Sequence, residues 1–307
     1  MIALLLRRIA TGIPTLFAVA ALSFLLMKAA PGGPFDGERA LSPETQAALA
    51  KAYALDAPVM TQFVQYSSRL ARGDFGPSLV YRDFSVTDLV AQGLPISLTL
   101  GGGALLLALA VGVPMGAAAA WRGGSLDRTV SVAASAANAV PSFVSAPLLV
   151  LLFGLWLGWL PVSGLSERGL DVSHLLLPIV ALSLPTMGAV MKLTRAGLRE
   201  VLTSDFIRTA RARGLRPATI LCRHALRPAL IPVVSYLGPA AAGLLTGAVV
   251  IETVFALPGL GRYFVQGALN RDYPLVMAVV LLYAGLILLF NLAADLAYGW
   301  LDPRVRG

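Results

Sequence analysis

Thr203-Ser204-Asp205-Phe206-Ile207-Arg208-Thr209-Ala210-Arg211-Ala212-Arg213-Gly214 reads as a short helix with its own punctuation, set between two long apolar stretches. Thr203 or Ser204 is placed to cap it, Asp205 favours its positive N-terminal end, and Gly214 can close it in a left-handed turn. Phe206, Ile207 and Ala210 form a small apolar patch at i, i+1 and i+4, flanked by Arg208 and Arg211. From Lys192 to Arg227 there are nine Lys or Arg against Glu200 and Asp205 alone, so the stretch carries +7 in a chain whose total is +8. A block of that sign stays on the cytoplasmic side of a membrane. It can be a basic loop lying on anionic headgroups. As a rigid peg hung between two spans, it also gives a soluble partner something to grip.

The rest of the chain supplies the membrane. Hydrophobic residues make up 57% and charged residues 13%, with a mean hydropathy of +0.77, which excludes an ordinary soluble domain. Six stretches reach the length of about 20 apolar residues that a spanning helix needs: 9–28, 95–120, 129–157, 175–192, 229–252 and 275–298. Arg7-Arg8, an apolar run and Ala29-Ala30 also look like a secretory signal with its cleavage site. The run exceeds the roughly 7–15 residues of a signal core, and Lys28 stands where a small residue is wanted, so the first helix is expected to be retained. With the N-terminus inside, fifteen Lys or Arg fall on the cytoplasmic side and eight outside, which puts both termini in the cytoplasm. The +8 charge reflects this asymmetry; no basic stripe interleaved with aromatics points to nucleic acid.

Chemistry is sparse. The single cysteine, Cys222, excludes an internal disulfide and a Cys-based metal site, and His174 and His224 fall on opposite sides of the membrane, unable to share a metal. No Gly-x-x-x-x-Gly-Lys-Ser/Thr loop exists to hold ATP, and no His-Glu-x-x-His or Gly-x-Ser-x-Gly is present. Asp295 is the clearest charge within a span, one turn after Asn291, with Glu252 and Lys192 at span ends. An ion-coupled secondary transporter places such groups near the midplane, whereas Asp295 sits in the last turns before the cytoplasm, where it is expected to pair with an interfacial Arg. The chain therefore reads as a transporter or a scaffold, with no catalytic residue, cofactor or metal of its own.

The outer segment is too long for a bare loop. Ser42-Pro43-Glu44 opens a helix to about Ala54; 58–71 makes a second, with Met60, Phe63, Val64 and Leu70 as its apolar side; Ser85 caps a third leading into the second span. Gly101-Gly102-Gly103, Gly112, Pro114 and Gly116 in one span, and Gly238 to Gly243 in another, suit close packing or a flexing gate. The expected organisation is 1–30 for the N-terminus and first span and 31–94 for the outer helical segment. A core of five spans follows over 95–302, carrying the cytoplasmic loop 193–228, with 303–307 as a tail.

Asp205 to Leu215, followed by His224-Ala225-Leu226-Arg227 and Pro232, resembles the coupling loop of ABC importer permeases. The general motif has Glu-Ala-Ala where Arg208-Thr209-Ala210 stand here, so only Ala210 and Gly214 match; that departure is usual for the peptide-importer branch. Arg7-Arg8 through Ala30-Pro31-Gly32 is similar to that branch's opening. So are Phe255-Ala256-Leu257-Pro258-Gly259-Leu260-Gly261-Arg262 with Asn270-Arg271-Asp272-Tyr273-Pro274, and Asp295-Leu296 with Leu301-Asp302-Pro303-Arg304-Val305-Arg306 at the tail. Gly33 to Leu41, Gly73-Asp74-Phe75-Gly76-Pro77-Ser78 and Tyr81-Arg82-Asp83 resemble the B-type permease of oligopeptide importers.

The resemblance implies an all-α, six-span permease of type I ABC importer fold in a bacterial inner membrane. Its partners would be a homologous second permease, two ATPases carrying ATP and Mg2+, an extracytoplasmic peptide-binding protein and membrane lipid. Asp205, Phe206, Ile207, Arg208, Ala210, Arg211, Gly214 and Leu215 would form the helix that lies in an ATPase groove, with Phe206 as apolar anchor and Gly214 setting the exit turn. Dipeptides, nickel chelates, glutathione and opines are the alternative cargoes, since the external binding protein does most of the selecting.

Overall fold

Long apolar runs that must satisfy their own backbone polar groups in lipid have one local solution, the α-helix. The computed structural model describes residues 2–29, 57–70, 72–81, 84–166 and 169–301, and the only β pairing among them is two isolated bridges. In chain order the helices are α1 (Ile2–Ala29), α2 (Val59–Leu70), α3 (Val86–Arg122), α4 (Gly124–Ala139), and α5 (Ser142–Leu149), which widens into a π-helical turn over Val150–Trp156. Then come α6 (Val172–Leu202), α7 (Asp205–Ala212), α8 (217–229, π-helical over Ile220–Ala225), α9 (Ile231–Val254), α10 (Leu260–Leu269) and α11 (Tyr273–Leu301). Parts of α1, α3, α6, α9 and α11 are long and apolar enough to cross a membrane, and the α4–α5 pair makes a sixth crossing if counted as one span.

That sixth crossing corrects the sequence reading. A single helix was expected over 129–157, but α4 and α5 meet at 103°. Val140 is extended (ψ 116°) and Pro141 follows it; the proline ring pushes its predecessor out of the α region. The expected helix from Ser42 lies outside the described residues. The helix expected over 58–71 is α2, but only part of its predicted apolar side is covered: Phe63 packs on Phe17 and Phe24 of α1, with ring centroids 5.7 and 5.4 Å away, whereas Met60 and Val64 are exposed. Ser85 caps as expected. Its hydroxyl accepts from Asp88 N at 3.1 Å, and its own amide donates to the Asp88 carboxylate at 3.1 Å, a capping box with Asp in the reciprocal position. The helix it opens runs unbroken into the second span as α3.

The chain divides into two compact units. One comprises the residues up to Arg8, Leu98–Leu257 and the residues from Leu286 onward. Its centre is α6, the most enclosed of the straight spans. Asp171 opens this helix by accepting from Ser173 N and Ser173 Oγ, bonds that hold its carboxyl below the usual carboxylate range. Three glycines of α3 face α6: a methyl at Gly103, Gly112 or Gly116 would lie 2.7 Å from Ile179, 2.8 Å from Val190 or 2.5 Å from the Met191 carbonyl. Gly188 and Gly197 of α6 meet the Ala134 and Ala229 carbonyls in the same way, each at 2.5 Å. Packing thus accounts for these residues, while Gly102 and Gly243 face open space. Arg8 pairs with Asp295 at 2.5 Å, the interfacial arginine expected for that carboxylate.

The other unit comprises Ile9–Ser97 and Pro258–Gly285. Its polar centre is Asp272, wholly buried. Asp272 Oδ1 accepts from Leu275 N at 3.3 Å in the first turn of α11, and Oδ2 accepts from the Ser78 hydroxyl and from Val80 N at 3.3 Å. Ser78 Oγ in turn accepts from Tyr81 N at 2.8 Å, and the Tyr81 hydroxyl donates to Gln266 of α10 at 2.5 Å. Burial raises the Tyr81 phenol above its ordinary pKa. At the head of α10, the Leu260 amide donates to Ser97 Oγ of α3 at 2.9 Å.

Candidate functional site

The basic peg forms where the sequence places it, with different chemistry at its start. Two residues separate α6 from α7, so the nearby hydroxyls reach back to the orphan carbonyls of α6. Thr203 Oγ1 donates to Glu200 O at 2.8 Å, and Ser204 Oγ donates to Val201 O at 2.5 Å. Neither caps α7, whose first position outside the helix has no side-chain cap bond. Asp205 remains in the first turn as expected and pairs with Arg208 at 3.3 Å.

The exit matches the expectation closely. Gly214 has φ +71°, Leu215 N bonds Ala210 O at 3.3 Å, and Gly214 N bonds Arg211 O at 2.9 Å. Together these make the paired 6→1 and 5→2 bonds of a Schellman closure.

The apolar patch expected from Phe206, Ile207 and Ala210 divides in two. Ile207 and Ala210 are buried in a cluster with Leu198 of α6 and with Ile220, Ala225 and Ala229 of α8. Phe206 is 51% exposed and Leu215 38%. Successive helical residues are turned by about 100°, so Ile207 and Ala210, three apart, share the inner face while Phe206 points elsewhere. The bed under the peg was not anticipated. Its signal was present as Leu198, Ile220 and Ala225 inside the basic block and Ala229 just after it, at mixed spacings, but the π-helical widening over Ile220–Ala225 spoils any simple periodicity. Outward, α7 offers Phe206, Arg208 and Arg211, all exposed. Inward, it is packed against α6 and α8.

The fold is that of a multi-span helical membrane protein with a basic helix, α7, bedded on α6 and α8. Residues 112–307 match the family of binding-protein-dependent transport system inner membrane components, and the chain belongs to that family. It is a multi-pass protein of the cytoplasmic membrane. Its 307 residues align over the full length of both chains, at 48% identity, with the oligopeptide transport system permease protein OppB of Salmonella typhimurium. The dipeptide transport system permease protein DppB of Bacillus subtilis is 39% identical over 293 residues, 95% of this chain and 94% of that one. Among solved structures, a chain of the inward-facing MetNI methionine ABC transporter superposes with a TM-score of 0.59 at 19% identity, over 70% of this chain and 96% of that one. That likeness gives the fold, the type I ABC importer permease.

Proposed function

We propose that this chain is the transmembrane permease subunit of an ATP-driven importer that takes up oligopeptides delivered by an extracytoplasmic binding protein. It forms half of the translocation path beside a second, homologous permease. The observation that carries this reading is the 48% identity with OppB along the whole chain, set against 39% with DppB.

In this reading α7 lies in a groove of a partner ATPase, with Phe206 as the apolar anchor and Arg208 and Arg211 beside it. ATP and Mg2+ sit on the two partner ATPases and supply the closing and reopening of the groove. This chain carries the displacement. Ile207 and Ala210 pass it to Leu198 of α6 and to α8, and Gly214 and Leu215 fix the angle at which the chain leaves the peg. The exposed Phe206 and the buried Ile207 support this division of labour.

A side chain at Gly214 would meet nothing within 4 Å. Gly214→Val therefore acts through the backbone alone: left-handed conformation costs a non-glycine residue roughly 1–2 kcal/mol, and a β-branched one resists it most. The deciding experiment is uptake of labelled dipeptides, tri- to pentapeptides and nickel in cells lacking this chain, complemented by wild type or by Gly214→Val. Loss of tri- to pentapeptide uptake, restored by wild type only, with the variant complex assembled and hydrolysing ATP, is the expected result. Intact oligopeptide uptake with a dipeptide or nickel defect would overturn the cargo, and full restoration by Gly214→Val would overturn the role of α7.

A further inference from the structure

Gly123 and Gly124, which join α3 to α4, both have left-handed φ (+64° and +60°), and a side chain at either would meet nothing within 4 Å. They are there for conformation and not for packing. Three residues on, in the first turn of α4, Asp127 turns its carboxylate toward α6. Arg195 grips it with two nitrogens: Nε donates to Oδ1, and Nη2 donates to Oδ2 at 2.9 Å. Arg199, one turn further along α6, donates from Nη2 to Oδ2 at 2.7 Å. The Asp127 side chain is only 14% exposed.

Most partly exposed ion pairs contribute little, but a two-pronged guanidinium–carboxylate contact joined by a second arginine is the geometry that does hold elements together. Where it holds matters more. Between Arg195 and Arg199, the same turn of α6 presents Gly197 to the Ala229 carbonyl and Leu198 to the bed of Ile207. One turn of helix therefore carries the peg's bed on one side and the Asp127 clamp on another.

We propose that Asp127 is a positioning residue for transport. It clamps the start of α4 to α6, so that displacement of α7 is delivered to the Gly123–Gly124 turn and the bent α4–α5 span instead of being lost in a movement of α6 alone. This rests on the reading of α7 as the coupling helix. The clamp predicts a particular failure. Without it the ATPases still cycle, because α7 and its bed are intact, but each cycle moves less cargo.

The test is ATP hydrolysed per peptide imported, measured on the complete importer in proteoliposomes with its binding protein. Asp127→Asn keeps the shape and loses the charge. ATPase activity should stay within about twofold of wild type while peptide moved per ATP falls by about tenfold, the scale of an ordinary coupling free energy. Asp127→Glu should recover part of the loss, and the charge swap Asp127→Arg with Arg195→Asp should recover more than either single change. Equal falls in hydrolysis and uptake, or a wild-type ratio, would overturn the inference. Should Asp127→Asn fail to assemble, the swap decides: restored assembly without a restored ratio makes Asp127 a purely structural residue. Gly214→Val in the same assay separates the two claims. If it uncouples and Asp127→Asn does not, only the clamp is wrong; if Gly214→Val transports normally, the reading of α7 is wrong.

Discussion

Ile207 is fully buried against the cluster that includes Leu198 and Ile220, while Phe206, one residue earlier, keeps half of its surface in solvent. The two should therefore fail differently. Ile207→Ala removes buried methylenes and leaves a cavity under the peg, a change that costs about 2–5 kcal/mol in soluble cores. Its expected signature is a lowered melting temperature of the purified complex. Phe206→Ala should leave the melting temperature unchanged and weaken retention of the ATPases during purification. A common effect of both on stability would contradict the assigned facing. The sequence alone told of the peg and its left-handed exit, because Gly214 after a run of helix formers is a local signal. It could not orient the patch, since Phe206, Ile207 and Ala210 in so short a helix do not define a face. Nor could it show the Asp127–Arg195 contact, whose partners are 68 residues apart; Arg195 there was simply one more positive charge in a cytoplasmic loop.

Among the elements, the approach of α3 to α6 is set by backbone. A side chain at Gly116 meets the Met191 carbonyl, which has no flexible end to move aside. Gly116→Val should force the helices apart at a cost of about 1–3 kcal/mol or more, read as a reduced yield of folded protein in the membrane. Gly102→Val, facing open space, is the matched control and should accumulate normally. The spans themselves were legible because length and apolarity suffice to define them. The bend at Pro141 was not. Pro14, Pro178, Pro185 and Pro239 all lie within continuous helices, so proline in this chain is no guide to where a span breaks. At the bend, the Asn138 side chain donates to the Pro185 carbonyl of α6 at 3.1 Å, a tertiary bond invisible to local pattern.

At the scale of the whole molecule, the Arg8–Asp295 pair brings the beginning of α1 and the end of α11 to one side of the membrane, as the distribution of positive charge required. Cys222 is exposed and is the only cysteine of the chain, which makes it a natural reporter of that side. A membrane-impermeant maleimide should label it in inverted vesicles stripped of ATPases and leave it untouched in right-side-out vesicles; the reverse pattern would invert the topology. The buried Asp272 has a further consequence, for biosynthesis. Its partner Ser78 is made 194 residues earlier. At about 5–20 residues per second, the ribosome takes roughly 10–40 s to cover that distance. During that interval Ser78 and the chain around it wait without their buried carboxylate. The unit built on Asp272 is made in two instalments, Ile9–Ser97 and Pro258–Gly285, so a nascent chain halted before the final span holds that unit half-made, and quality control has a long window in which to meet it.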